Sequence, residues 1–203
     1  MSPPPAPLVL GRASKYMDRH FSRHAMKILP GEFYATKDDE VIVTVLGSCV
    51  AACILDPIAL VGGMNHFMLP VKQGDQHSDV FFAARYGAAA MEYLINNLLH
   101  LGAQRDRLVA KAFGGGKVMR SMGTDIGSQN IEFVRMFLRR ENIPLWSEDL
   151  GGELPRKVYF FPHTGQVIVK RLSHVHNDTL VNRERSYFEQ VSRKPVEGDV
   201  ELF

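Results

Sequence analysis

The stretch Val41–Pro57, VIVTVLGSCVAACILDP, contains both cysteines of the chain and fixes the reading of what surrounds it. Val41–Leu46 is apolar and β-branched with little alternation, as in a strand covered on both faces. Gly47-Ser48 breaks it, Cys49–Leu55 resumes the apolar character, and Asp56-Pro57 makes a turn. Downstream, VGGMNHFML (61–69) reads as another strand. Met64, His66 and Met68 fall on one face, and Asn65, Phe67 and Leu69 on the other. Pro70 and the polar run KQGDQHSD (72–79) close it in a loop.

The region from Val80 to Leu101 carries Ala84, Ala88, Met91, Leu94, Ile95 and Leu98 at helical spacing. Ser78 or Asp79 suits its start and Gly102 its end. LVAKAF (108–113) is a strand leading into the loop Gly114–Gly116. NIEFVRMFLRREN (130–142) is a second amphipathic helix with Ile131, Val134 and Leu138 inward. VYFF (158–161) and QVIVKRL (166–172) pair as strands around the turn PHTG. Strands precede and follow the helices without regular βαβ alternation, so the expected class is α+β, a mixed β-sandwich flanked by helices. Residues 1–27, opening on SPPPAP, read as a loosely ordered N-terminal extension with Tyr16 and Phe21 as surface anchors. The folded domain spans 28–172. Residues 173–203 read as a charged C-terminal tail with one short helix around Arg185–Gln190.

Composition narrows the function classes. At 203 residues, 45% hydrophobic and 23% charged, the chain has the profile of one ordinary globular domain. No apolar run approaches the roughly 18 residues a membrane span needs, so no membrane insertion is expected. Basic residues follow the short apolar patch Leu8–Leu10 instead of preceding it, unlike a secretory signal, and a reducing cytoplasm is the expected setting. The net charge of +2, from 24 basic and 22 acidic residues, gives no case for nucleic acid. Arg135, Arg139 and Arg140 read as the solvated face of the second helix.

Two cysteines four residues apart admit few arrangements. On a strand they lie about 13 Å apart at ~3.3 Å per residue, too far for a disulfide. No second CxxC or HxxxH pair supplies a zinc set, and His174 and His176 are a thin basis for metal; no metal site is expected. Cys53, between Ala52 and Ile54, has the surroundings of a small buried hydrophobe. Cys49 sits at a tight break after a buried strand, where consecutive backbone N–H groups can converge on one point as an oxyanion hole. A thiol still needs a base, and His66, seventeen positions on, is the candidate. Thr44, Asn65 and Ser48 are the polar groups within local reach that could orient its ring. Gly62 and Gly63 would let a backbone or a substrate approach closely. From the residues alone two readings stay open: a cysteine hydrolase of the acyl-thioester type, or a buried thiol beside a satisfied core histidine.

The ordered motifs TVLGSCVAACILDP, GGMNHFMLP, KAFGGGKVM, IGSQN and EDLGG resemble the chemoreceptor glutamine deamidases, the CheD family of bacterial chemotaxis. The resemblance spans about Ile28 to Leu172. It implies a fold similar to the catalytic domain of deamidating bacterial toxins. It also implies a catalytic Cys49, a catalytic His66, and Thr44 as third active-site residue, with Cys53 matching no catalytic position. The implied enzyme is a protein-glutamine glutaminase that converts glutamine side chains of methyl-accepting chemotaxis receptors to glutamate and releases ammonia. Backbone N–H groups of Ser48 and Cys49 would hold the oxyanion, and no cofactor is required. A CheC-type phosphatase is a further implied partner. Two other functions stand beside this one: hydrolysis of receptor glutamyl methyl esters or other protein amides, and a binding module in which catalysis is secondary. FGGGK (113–117) lacks the GxxxxGK[ST] spacing of a phosphate loop. IGSQN suits a helix cap through Ser128 or Asn130, and DLGG (149–152) a turn.

Overall fold

The computed structural model describes residues 14–70, 77–118, 125–173 and 177–193. Among them the α+β class holds, with two mixed five-stranded sheets and three long helices. The first sheet contains β1 (Ser14–Asp18), β2 (Arg23–Lys27), β4 (Val41–Leu46), β9 (Arg156–Phe161) and β10 (Gln166–Arg171), in the order β1-β2-β4-β9-β10. The second is β3-β6-β5-β7-β8, built from β3 (Phe33–Thr36), β6 (Val61–Asn65), β5 (Val50–Asp56), β7 (Val109–Gly114) and β8 (Leu145–Leu150). Within them β2–β4 and β7–β8 run parallel, and the other neighbours are antiparallel.

The opening stretch is the crossover between the sheets. β4 belongs to one and β5 to the other, so Gly47–Cys49 carries the chain from layer to layer. β5 is buried along its whole length, and its alternate residues serve two cores. Ala52 and Ile54 face helices α1 (His77–His100) and α2 (Ile126–Arg140) with Met91, Leu94, Val134 and Leu138. Ala51, Cys53 and Leu55 face the first sheet with Ile42, Leu46, Val158 and Phe160. Cys53 is therefore a packed thiol between the sheets, 0% exposed.

Asp56 ends β5 as an Asx turn, its Oδ1 accepting from Ile58 N at 2.9 Å and Ala59 N at 3.0 Å, while Oδ2 accepts from Arg107. Gly63 permits the helix layer to close. A β-carbon there would lie 2.6 Å from both Leu94 Cδ1 and the Tyr34 carbonyl oxygen. The close approach thus comes from the protein's own helix and backbone. Gly102 ends α1 at φ +105°. Ser78 and Asp79 fall inside α1, and their side chains lie outside the described residues, as do His174 and His176.

Three segments differ from the sequence expectation. The N-terminal extension forms β1 and β2, an antiparallel pair that extends the first sheet through β4. Phe21 anchors it edge-on against Tyr159 and Phe161, at 5.1 Å from each, while Tyr16 stays 37% exposed. Much of the DLGG region belongs to β8, which runs from Leu145 to Leu150 before the turn at Gly151-Gly152. The C-terminal segment, read as a tail with a short helix, forms α3 (Asn177–Arg193), 17 residues long. Leu180, Glu184, Phe188 and Val191 are buried on one of its faces. Five charged residues in its 183–193 stretch lower its mean hydropathy and hide that stripe from a composition-based reading.

Candidate active site

The sheet crossover places Cys49, His66 and Thr44 together. Thr44, on β4, is 1% exposed and donates its hydroxyl proton to the Ile28 carbonyl oxygen at 2.9 Å. The same hydroxyl oxygen lies 2.7 Å from His66 Nδ1. A hydroxyl has one proton, so with that proton on Ile28 the contact requires Nδ1–H to donate to Thr44. Nε2 then carries the lone pair, and it is buried with no hydrogen-bond partner among the described residues. That is the tautomer a general base needs. β6 ends at Asn65, so His66 sits on the extended exit of the strand, its own backbone N–H held by the Glu32 carbonyl at 2.9 Å.

Cys49 Sγ, a His66 ring nitrogen and a Glu184 carboxylate oxygen lie within 4.8 Å of one another. All three residues are sealed, with exposures of 0%, 2% and 0%. Burial, then the Glu184 carboxylate, pushes the Cys49 thiol well above its ordinary range. Burial, then the Arg183 guanidinium, lowers His66 to about 3, so its imidazole is neutral.

Around the thiol the crossover forms a cradle of donors. Gly47 N is 2.8 Å and Ser48 N 2.9 Å from the Glu184 carboxylate, Ser48 Oγ 2.7 Å, and Cys49 N a longer 3.4 Å. The two shortest backbone contacts to this carboxylate are thus from Gly47 and Ser48. A β-carbon on Gly47 would lie 2.7 Å from Glu184 Oε2, so only glycine leaves room for the carboxylate to lie this close to the crossover.

Other segments hold the crossover in shape. Gly115 N donates to Cys49 O and Gly116 N to Gly47 O, both at 2.7 Å. Gly114, at φ +108°, passes so near that a β-carbon would lie 2.2 Å from Cys49 O. The glycine run is therefore a brace for the crossover loop. Asn130 is a second brace: its Nδ2 donates to Ser48 O at 2.9 Å, and its Oδ1 accepts from Leu69 N at 2.8 Å. Asp125 caps α2 instead, accepting from Ser128 N at 3.1 Å. Asn65, one of the groups within reach of His66 in sequence, faces the other way. It ties Ala52 N on β5 to the Ala90 carbonyl on α1. Arg156, 2% exposed, pins the β8–β9 turn through the Asp149 carboxylate at 3.0 Å and the Gly151 carbonyl.

The Cys49, His66 and Glu184 donors form the one grouping of at least three metal-ligating side chains found among the described residues. Glu184, however, is already taken by three N–H groups and a hydroxyl. Converging N–H dipoles suit an anion, so the cradle fits a carboxylate or oxyanion better than a cation.

Comparison with known proteins shows the family of the chain. Residues 68–171 match the family described as CheD chemotactic sensory transduction. A relative from Janthinobacterium sp. (strain Marseille), "Probable chemoreceptor glutamine deamidase CheD", is 55% identical over 189 residues, covering 93% of each chain. A Shewanella oneidensis relative, "Probable chemoreceptor glutamine deamidase CheD 1", is 49% identical over 204 residues. That alignment covers 100% of this chain, the crossover and α3 included, and 99% of the relative. Among solved structures, the Bacillus licheniformis hypothetical protein YfiH matches 57% of this chain and 49% of its own, at 12% identity and a TM-score of 0.38. The chain belongs to the CheD family.

Proposed function

We propose that the protein deamidates glutamine side chains of chemotaxis receptors through a thioester on Cys49, as a protein-glutamine amidohydrolase of the cytoplasm. The observation that carries this reading is the single-tautomer relay from Ile28 through Thr44 to His66, ending on a partnerless Nε2, with a His66 ring nitrogen within 4.8 Å of a thiol whose backbone forms an anion cradle. The names of the relatives supply the substrate class.

His66 Nε2 takes the Cys49 proton, and the thiolate attacks the δ-carbon of the glutamine amide. The carbonyl oxygen gains the negative charge within reach of Gly47 N and Ser48 N, where fixed dipoles in a dry site stabilise it most. Protonated His66 returns its proton to the amide nitrogen, the C–N bond breaks and ammonia leaves. His66 then activates water, which hydrolyses the thioester to glutamate and restores the thiol. Each half needs His66 neutral at its start, the form that burial favours.

Receptor cytoplasmic fragments incubated with the protein and mapped by mass spectrometry test the reading. Amide-to-acid conversion with release of ammonia is expected, and loss of methyl groups alone would indicate an esterase. Cys49→Ala abolishes the conversion, while Cys53→Ala, which leaves only a small cavity between the sheets, retains it.

A further inference from the structure

Glu184 has no role in the reaction above, yet it occupies the centre of the site. Its carboxylate is 0% exposed and accepts from Gly47 N, Ser48 N, Ser48 Oγ and, more distantly, Cys49 N. A carboxylate buried on the apolar face of a helix is costly without such partners, and its partners here are the donors that the reaction needs for its oxyanion. A glutamate side chain is also the chemical product of glutamine deamidation.

The helix that carries Glu184 completes the likeness. Leu180, Phe188 and Val191 lie four residues before, four after and seven after it, so the carboxylate projects from the middle of an apolar stripe. Phe188 joins the core between the sheets beside Cys49 and Met68. Tyr187 lies against Gly31, where a β-carbon would come 2.7 Å from its hydroxyl, and its phenol meets that of Tyr86 on α1. With α3 seated, Cys49 and His66 are closed to any side chain of another protein.

We propose that α3 is a tethered product mimic. It lies in the groove that a glutamine-bearing amphipathic helix of the substrate occupies during catalysis, with Glu184 standing where the substrate's side chain stands. The proposal rests on the deamidase reading and adds that the resting protein is self-occluded. A substrate helix competes with α3 for one seat, so activity depends on the equilibrium between seated and displaced α3. The apolar stripe and central carboxylate of α3 describe what the groove selects: a helix with apolar residues four before and four after its glutamine.

Full-length protein with Glu184→Ala leaves the cradle donors unpaired and removes the negative charge beside the thiol. Cys49 alkylation by iodoacetamide is expected to rise at least about tenfold over wild type, with faster amide hydrogen exchange along 180–191 and faster conversion of receptor fragments. Equal alkylation, exchange and conversion rates in the two proteins would overturn the occlusion. Glu184→Gln, close in shape, keeps the seat filled and makes α3 a substrate in cis. Cys49 attacks the δ-carbon of the introduced amide, ammonia leaves, and water restores Glu184. Intact-mass and peptide analysis should show that conversion in Glu184→Gln and not in Glu184→Gln with Cys49→Ala. An introduced amide that persists in protein able to deamidate receptor fragments would contradict the mimicry. Faster alkylation of Glu184→Ala with no receptor fragment modified by any variant would keep the occlusion and remove the receptor reading.

Discussion

Thr44 shows how one hydroxyl sets the chemistry of a ring on the other sheet. Its proton goes to Ile28, so His66 must hold its own proton on Nδ1 and present Nε2 as the base. Thr44→Val keeps the volume and deletes the relay, leaving a buried Nδ1–H and a buried carbonyl unpaired, at about 1–3 kcal/mol each. The expected result is a kcat for receptor deamidation lower by about 10- to 100-fold, within the contribution of a general base. Thr44→Ser should restore most of it, as steady-state ammonia assays of the two variants would show. The same histidine gives the fold a defined response to acid. Its folded pKa of about 3 lies below the ordinary 6.5. Between those values the unfolded chain binds a proton that the folded chain refuses, so stability is lost as pH falls through that window. The loss is up to about 1.4 kcal/mol per pH unit. Asp56, where burial is outweighed by the Ala59, Gln104 and Arg107 hydrogen bonds, is held at about 2 and contributes a loss only below its ordinary 3.8. Urea unfolding between pH 4 and 6.5, with His66→Gln flattening the slope, isolates the imidazole.

The β4–β5 crossover and the strands beside it were legible because their signals are local. An unalternating apolar run, a Gly-Ser break and an Asp-Pro turn lie within seventeen residues. Cys49 stood out by its place at that break and His66 as a candidate base on the next predicted strand, while Thr44 was one of three polar groups in reach until the family resemblance singled it out. What holds the crossover is remote. Asn130 reaches Ser48 across 82 positions, and Glu184 reaches Gly47 across 137. A helix cap and a charged tail were the natural local readings of those two residues, because no periodicity reports a contact with another element. Gly62 and Gly63 were legible as a close approach but not as to what approaches. Gly63→Ala places its methyl against Leu94 and a Tyr34 carbonyl that cannot swing aside. Overpacking of this kind costs about 1–3 kcal/mol. Thermal melts should show a Tm lower by roughly 2–4 °C for each kcal/mol in a chain of this size.

At the level of the whole molecule, one crossover loop joins the two sheets, and the last described helix closes over it. No described helix is long and apolar enough to cross a membrane. The sandwich explains the depth of the thiol, since the loop joins the central strand of one sheet to the central strand of the other and is braced by the glycine run after β7, by Asn130 and by Glu184. It also explains why the resting thiol is held protonated. Burial and Glu184 raise it together, and a helix that leaves takes the carboxylate with it. The most direct measurement is acid-quenched mass spectrometry of the protein mixed with receptor cytoplasmic fragments, reading the peptide that contains Cys49. A γ-glutamyl thioester on Cys49, formed and consumed while ammonia appears and absent in His66→Ala, is the predicted result. Full-rate ammonia release from receptor glutamines with Cys49 replaced by alanine, or an acyl group found on Cys53 instead, would contradict it.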